Sequence, residues 1–217
     1  MFLFLIASLP LLFSLVVLLP WDRGQAPRPL ALVSTFLKGV LLFFPGYLAI
    51  LIVRRIFGFS YNGFLLYLSL LLRDHLAPLL AALGGFLLLQ RTLSFSGTDE
   101  GIFLTAFACL SGFLSMVNIT DSLRAWGSWD GYVLFLLPVL RIASALVMAL
   151  AAQRFFRWEG RDGWLFCAAC AACALLFALA SYFDVINRLG WAIPLAVLPV
   201  LGAVAVFAMR FPRAVRG

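Results

Sequence analysis

The sequence predicts an all-α, polytopic transmembrane helix bundle of about seven spans, within a range of six to eight. Of its 217 residues, 65% are hydrophobic and 12% are charged, whereas soluble proteins are about half apolar and about a quarter charged. The apolar residues also form long runs, most of them near the ~20 residues that cross a ~30 Å hydrocarbon core. These runs cover residues 2–20, 30–53, 64–89, 101–118, 132–152, 164–183 and 190–209.

Each run is predicted to be a helix, because a bilayer offers no water to unpaired backbone groups and a helix satisfies them internally. The continuous apolar runs also lack the alternation of a barrel strand. The first run starts at Met1 without a basic region, and Trp21-Asp22-Arg23 follows it instead of a small-residue cleavage site. We therefore expect a retained span rather than a signal peptide. No segment between runs exceeds about 13 residues, so residues 1–217 are predicted to form a single integral membrane domain.

Aromatic and basic residues predict how the helices are placed in the membrane. The tryptophans lie at or just beyond run ends, where indole rings prefer the headgroup level: Trp21, Trp126, Trp129, Trp158, Trp164 and Trp191. Nine arginines fall on one side, namely Arg23, Arg28, Arg91, Arg154, Arg157, Arg161, Arg210, Arg213 and Arg216. The opposite side has Arg54, Arg55, Arg124 and Arg188, with Arg73 as a fifth if it belongs there. The positive-inside rule predicts an inner-membrane protein with its N-terminus outside and its C-terminus in the cytoplasm.

The net charge of +7 has a related explanation. The basic excess lies in short loops beside the membrane, where it sets topology and meets anionic headgroups. Membrane lipids are therefore expected partners, along with other membrane subunits or further copies of this chain, and nucleic acid is not. Only one of the sixteen basic residues is a lysine, Lys38, a bias typical of a GC-rich bacterial genome.

Charged residues inside the predicted spans are the main candidates for a functional site. Arg141 lies almost at the centre of the fifth span, where an arginine costs ~2.5–3.5 kcal/mol on the insertion scale. We expect it to face the bundle interior and either line a polar cavity or pair with a carboxylate, for which Asp121 and Asp184 are candidates. Lys38 lies about a third of the way into the second span, where it either joins the site or extends its amine toward the interface.

The third run contains the densest polar cluster, Arg73-Asp74-His75. In a straight helix from Phe64, this cluster would lie ~15 Å deep, near the midplane, and would suggest a charge relay or ligand site. The alternative, which we favour, makes residues 60–72 an interfacial or re-entrant helix. The true span then begins near Asp74 as N-cap, with Pro78 in its first turn.

The cysteines predict helix packing rather than metal binding. Cys167, Cys170 and Cys173 alternate with alanine pairs, and such a strip of small residues allows close approach of a neighbouring membrane helix. A metal site would need more ligands than Cys109 and His75 could add. No metal or cofactor is therefore expected, and common hydrolase, metalloprotease and nucleotide-binding motifs are absent from the sequence.

Three function hypotheses remain. The first is a small transporter, or substrate-binding transport subunit, for an anionic solute or lipid headgroup that Arg141, Lys38 and Arg73 attract while Asp74 and His75 handle charge or protons. The second is a non-catalytic scaffold subunit of a larger membrane complex, and the third is an intramembrane enzyme acting on lipid. A polar cavity beside Arg141 would favour the first, whereas a tight pair with Asp74, Asp121 or Asp184 and no cavity would favour the second.

Overall fold

The computed structural model describes residues 29–58, 62–89, 99–124, 132–156 and 160–210, and the regular elements in these ranges are all helical. The all-α prediction is therefore confirmed over them, while the first predicted run, 2–20, lies outside the described residues. The described residues form six helices in chain order: α1 (Pro29–Ile56), α2 (Gly63–Leu89), α3 (Asp99–Arg124), α4 (Leu137–Phe156), α5 (Gly160–Val185) and α6 (Leu189–Arg210).

Three of these helices contain stretches long and apolar enough to cross a membrane: Leu30–Ile56, Gly63–Leu89 and Gly101–Arg124. On α1, one face carries Leu37, Leu41, Phe44 and Leu48, whose side chains are 53–66% exposed. A soluble protein would not leave such a row of large apolar side chains in water. The exposed face therefore fits a lipid environment.

Helix α2 is continuous, so the favoured interpretation of residues 60–72 as a separate interfacial or re-entrant helix is wrong. Its N-cap is Asn62, whose side-chain oxygen accepts from the backbone N–H of Phe64 at 3.1 Å. Asp74 lies inside a π-helical segment, Leu71–Leu76, where the helix widens by one residue. The N–H of Ala77 donates to the carbonyl of Leu72 there, and this local π geometry carries the helix past Pro78, which has no N–H to donate.

A second π-helical segment, Tyr132–Leu136, leads into α4. It ends two residues before Pro138, just as the first segment ends two residues before Pro78. Pro138 lies at the second position of the α-helical part, and Arg141 follows one turn later. The predicted cluster Arg73-Asp74-His75 and the predicted Arg141 therefore each lie on a helix that contains a π segment followed by a proline.

Helix α3 is the buried centre of the bundle, and its closest neighbour is α1. A Cβ atom at Gly39 of α1 would collide with the backbone carbonyl of Cys109, and one at Gly112 of α3 would collide with the carbonyl of Phe36. Two glycines thus allow the backbones to touch, as small residues do in membrane helix pairs. Since Gly39 lies near Cys109 and Arg54 near Asp121, α1 and α3 run parallel.

Helix α2 runs antiparallel to α1. Ser69 donates to the carbonyl of Phe57 at the end of α1, at 3.3 Å, whereas Gly85 near the other end of α2 packs against Leu42. The pairing places the π segment of α2 beside the last turns of α1, and so brings Asp74 close to Arg54.

The small-residue strip on α5 packs within the chain at Cys170 and Cys173, whereas the side chain of Cys167 lies outside the described residues. Cys170 and Cys173 are half-buried thiols that form no disulfide, and each lies against a cluster of buried apolar side chains. The next small residues, Ala174 and Ala178, are buried against Leu71 of α2. The contacts agree with a packing role for this strip.

Candidate functional site

Asp121, near the end of α3, lies between two arginines from different helices. Arg141 of α4 donates from Nη2 to its Oδ2 at 2.6 Å, and its Nη1 donates to the side-chain oxygen of Asn118. Arg54 of α1 contacts the same carboxylate through Nη1 at 2.8 Å and Nη2 at 3.1 Å. The expected carboxylate partner of Arg141 is thus found in Asp121, and the Arg141 side chain is only 4% exposed.

A second aspartate extends this network to α2. Arg73 binds Asp74 through two nitrogens, Nε at 2.9 Å and Nη2 at 2.7 Å. The Nη2 atom of Arg54 lies 3.8 Å from Asp74, so Arg54 joins the two carboxylates. We call Arg54, Arg73, Asp74, Asp121 and Arg141 the charge network. It connects four helices, and each of its side chains is at most 17% exposed.

The charge network lies toward one end of the bundle rather than at the centre of α1 and α3. Arg54 precedes the last residue of α1 by two positions, and Asp121 precedes the last residue of α3 by three. At 1.5 Å per residue, both lie about 3–5 Å from their helix ends. Arg141, which the sequence places at mid-span, is therefore level with the ends of its partner helices.

Two guanidinium N–H groups in the network lack a hydrogen-bond acceptor in the part of the chain that the structure describes. They are the Nε atoms of Arg54 and Arg141, and both are buried. Two guanidinium groups also share the single negative charge of Asp121, which leaves this trio with a charge of +1. Buried cations are normally balanced and hydrogen-bonded, so the trio has both the charge and the donors to hold a further anion.

A row of polar side chains on α3 leads away from the charge network. Ser111, Ser115, Asn118 and Ser122 follow one another at spacings of four, three and four, which places them within an arc of about 60° on one face. All four are at most 3% exposed. The three serine hydroxyls contact no hydrogen-bond partner among the described residues. We call these four residues the polar face of α3.

His75 does not join the ion pairs of its neighbours. Its Nε2 atom lies 2.7 Å from Oγ of Ser181 on α5, and that hydroxyl lies 2.8 Å from the carbonyl of Phe177. If the hydroxyl donates to the carbonyl, it accepts from Nε2–H, so both bonds are satisfied by the Nε2-protonated tautomer. His75 is buried, with 4% of its surface exposed, and its contact with Ser181 joins α2 to α5.

The remaining predicted residues are Lys38, which lies away from the charge network, and Asp184, which lies at the end of α5. Lys38 is half-buried on α1, sixteen positions before Arg54, which corresponds to about 24 Å along the helix axis. Asp184 lies in the last turn of α5, where its backbone carbonyl accepts from Asn187 at 2.8 Å. Asn187 has a positive φ of 60° and ends the helix, so this turn has a clear structural role.

Sequence reasoning missed Arg54, Asn118 and Ser181. Arg54 was counted as a loop residue because the apolar run ends at Val53, yet α1 continues to Ile56. Asn118 could have been recognised from its helical spacing with Asp121, since residues three apart lie side by side on a helix. The contact between Ser181 and His75 joins distant parts of the chain and leaves no local signal.

No group of three or more histidine, cysteine or acidic residues that could hold a metal ion occurs among the described residues. The comparisons with known proteins add no relationship: no protein-family model, no curated protein and no solved structure matches this chain.

Proposed function

We propose that this chain is a small membrane transporter, or the substrate-binding subunit of one, for an anionic solute or a lipid headgroup. The supporting observation is the buried trio of Arg54, Asp121 and Arg141, in which two guanidinium groups share one carboxylate and each keeps an unpaired Nε–H. In a low-dielectric interior, an excess positive charge with available donors attracts an anion strongly.

The polar face of α3 supports movement of a solute as well as binding. Its hydroxyls extend from Ser122 beside the charge network to Ser111, eleven residues or about 16 Å along the helix. Buried hydroxyls without partners are rare in protein interiors that serve packing alone. A row of them provides hydrogen bonds to a polar solute or to water along a path through the bundle.

The proposal includes seven spans in an inner membrane, with the N-terminus outside and the C-terminus in the cytoplasm. Arg54 and Arg73 are committed to ion pairs with aspartates, so neither acts as a free juxtamembrane charge. Without them, the count of basic residues on the outer side falls to three, Arg55, Arg124 and Arg188, against nine on the inner side. This greater asymmetry supports the proposed orientation, in which the charge network would lie near the outer surface.

Flux measurements in proteoliposomes test the transport function. The purified chain is reconstituted, and uptake of radiolabelled inorganic phosphate, glycerol phosphate and succinate is compared with protein-free vesicles. We expect uptake of at least one of these anions and its loss in Arg141→Gln. The matched control is Arg55→Gln, which removes an exposed arginine outside the charge network. Equal uptake with and without protein for all three anions would contradict the proposal.

A second candidate function is a non-catalytic scaffold subunit of a larger membrane complex. The tight pair between Arg141 and Asp121, at 2.6 Å, favours it, because a satisfied ion pair can simply hold helices together. In that case, Arg141→Gln would reduce assembly with partner subunits in detergent-solubilised native membranes. No anion flux would be found with the parent, with Arg141→Gln or with Arg55→Gln.

A further inference from the structure

We propose that Arg54 and Arg141 form a binding site for a phosphate group, and that Asp121 is a tethered anion which a bound phosphate displaces. This inference rests on the anion-binding function proposed above and specifies its site, its ligand chemistry and its internal competitor. It assigns Arg54 a role that its position at the end of an apolar run does not indicate.

The geometry of the carboxylate supports the displacement. Asp121 receives three close contacts from the two arginines, at 2.6, 2.8 and 3.1 Å. Its two oxygens thus occupy the positions at which arginine forks bind the oxygens of a carboxylate or phosphate ligand. The position of the Asp121 carboxylate therefore indicates where an oxoanion would bind between α1 and α4.

The charges favour phosphate over a monocarboxylate. Two guanidinium groups carry two positive charges, whereas a carboxylate carries only one negative charge. A phosphate monoester carries about −1.5 to −2 at neutral pH and has three strong acceptor oxygens. The two guanidinium charges balance a phosphate dianion once the displaced Asp121 carboxylate has taken up a proton from solvent. The phosphate oxygens can then also accept from the Nε–H groups of Arg54 and Arg141, which have no acceptor among the described residues.

The depth of the site admits two sources of phosphate. Arg54 and Asp121 lie about 3–5 Å from the ends of α1 and α3, a distance that both a lipid phosphomonoester headgroup and dissolved phosphate can reach. The shared chemistry is the phosphate group, so the source is determined by experiment.

The central experiment measures binding of inorganic phosphate to the detergent-purified chain by calorimetry. We expect the parent to bind and Asp121→Asn to bind at least tenfold more tightly, because the competing carboxylate is gone and both guanidinium groups remain. An equal or weaker affinity in a folded Asp121→Asn protein would overturn the displacement mechanism. Acetate serves as the monocarboxylate control, and we expect it to bind at least tenfold more weakly than phosphate.

A second pair of variants keeps the proposal testable if Asp121→Asn does not fold. Arg54→Lys and Arg141→Lys retain the charge and lose the planar fork, so each should weaken phosphate binding at least tenfold. The matched control, Arg55→Lys, alters an exposed arginine next to Arg54 and should bind phosphate like the parent. Unchanged affinity in both fork variants would overturn the assignment of the site.

Nanodiscs identify the source of the phosphate group. Thermal midpoints are compared in phosphatidylcholine discs, in discs with about a third phosphatidic acid, and in phosphatidylcholine discs with inorganic phosphate added. A rise with phosphatidic acid or with dissolved phosphate that is lost in Arg141→Lys supports the site and names its source. The absence of a rise in both conditions would overturn it.

The failures of this inference and of the transport function can be told apart. If the parent takes up an anion in proteoliposomes and the charge-network variants bind phosphate like the parent, the phosphate site is wrong and transport stands. If the parent neither binds any of the anions nor takes them up, both proposals are wrong.

Discussion

Replacing Gly39 by alanine tests how much the close contact between α1 and α3 stabilises the fold. The added Cβ would lie 2.9 Å from the carbonyl carbon of Cys109, against ~3.5–4.0 Å for relaxed carbon contacts. The obstructing atoms belong to a backbone and cannot rotate away. The two helices must therefore separate near this contact by an amount on the order of 1 Å.

The expected cost combines two opposing effects. Overpacking costs ~1–3 kcal/mol, and we expect the upper part of this range because backbone is displaced. Replacing glycine by alanine within a helix returns ~1 kcal/mol. The net loss in free energy of unfolding is then about 2 kcal/mol. Gly84→Ala is the control, because nothing lies within 4 Å of its Cβ position, and it should be neutral or stabilising by up to ~1 kcal/mol.

A double variant makes this prediction sharper. Gly112→Ala pushes against the carbonyl of Phe36, so it separates the same two helices as Gly39→Ala. Once the helices have moved apart for one methyl group, the second costs less, and the double variant should lose clearly less than the sum of the single losses. Reversible unfolding in mixed micelles, followed by circular dichroism, measures the parent, the two single variants, the double variant and the Gly84→Ala control. A stable Gly39→Ala variant, or strictly additive losses, would refute the reasoning.

Three further predictions concern topology, packing and the buried histidine. Reporter fusions at Arg91 and Arg216 should both indicate the cytoplasm, and an external signal from either contradicts the proposed orientation. Cys170→Ala should be nearly neutral in thermal unfolding, whereas Cys170→Leu should overpack the contact and cost ~1–3 kcal/mol; equal midpoints for the two would argue against a packing role. Ser181→Ala should cost ~1–3 kcal/mol because it removes a hydrogen-bond partner of the imidazole. Ser144→Ala is the control, since its hydroxyl donates to the carbonyl of Leu140 in its own helix at 3.0 Å, and it should cost less. The reverse order of costs would show that the bond between His75 and Ser181 does not stabilise the fold.

The helices themselves were largely predictable from the sequence. The run 64–89 corresponds to a helix at Gly63–Leu89, and the run 132–152 to helical segments that begin at Tyr132 and end at Phe156. Apolar runs identify helices because the bilayer requires both apolar side chains and internally bonded backbone. The same reasoning placed helix ends too early, since a charged residue stops an apolar run without stopping the helix.

The candidate site was predicted in part. Arg141 was expected to be buried with a carboxylate such as Asp121, because an unpaired charge at that depth is costly, and that contact is found. The contribution of Arg54 was missed because it lies at the end of a run and pairs with residues far away in the chain. The interpretation of Asp74 as an N-cap failed because Pro78 can start a helix or lie inside one, and local sequence favours the first.

The two π-helical segments have a consequence for comparing this chain with related sequences. Each segment holds one residue more than an α-helical turn, so the residues that follow are rotated by about 100° relative to a regular helix. A helical wheel drawn through Leu71–Leu76 or Tyr132–Leu136 therefore assigns later side chains to the wrong face. Single-residue gaps in alignments are expected within these segments, because the wide turn absorbs an inserted residue and keeps the residues after it, Arg141 among them, facing as they would in an α-helix without the insertion.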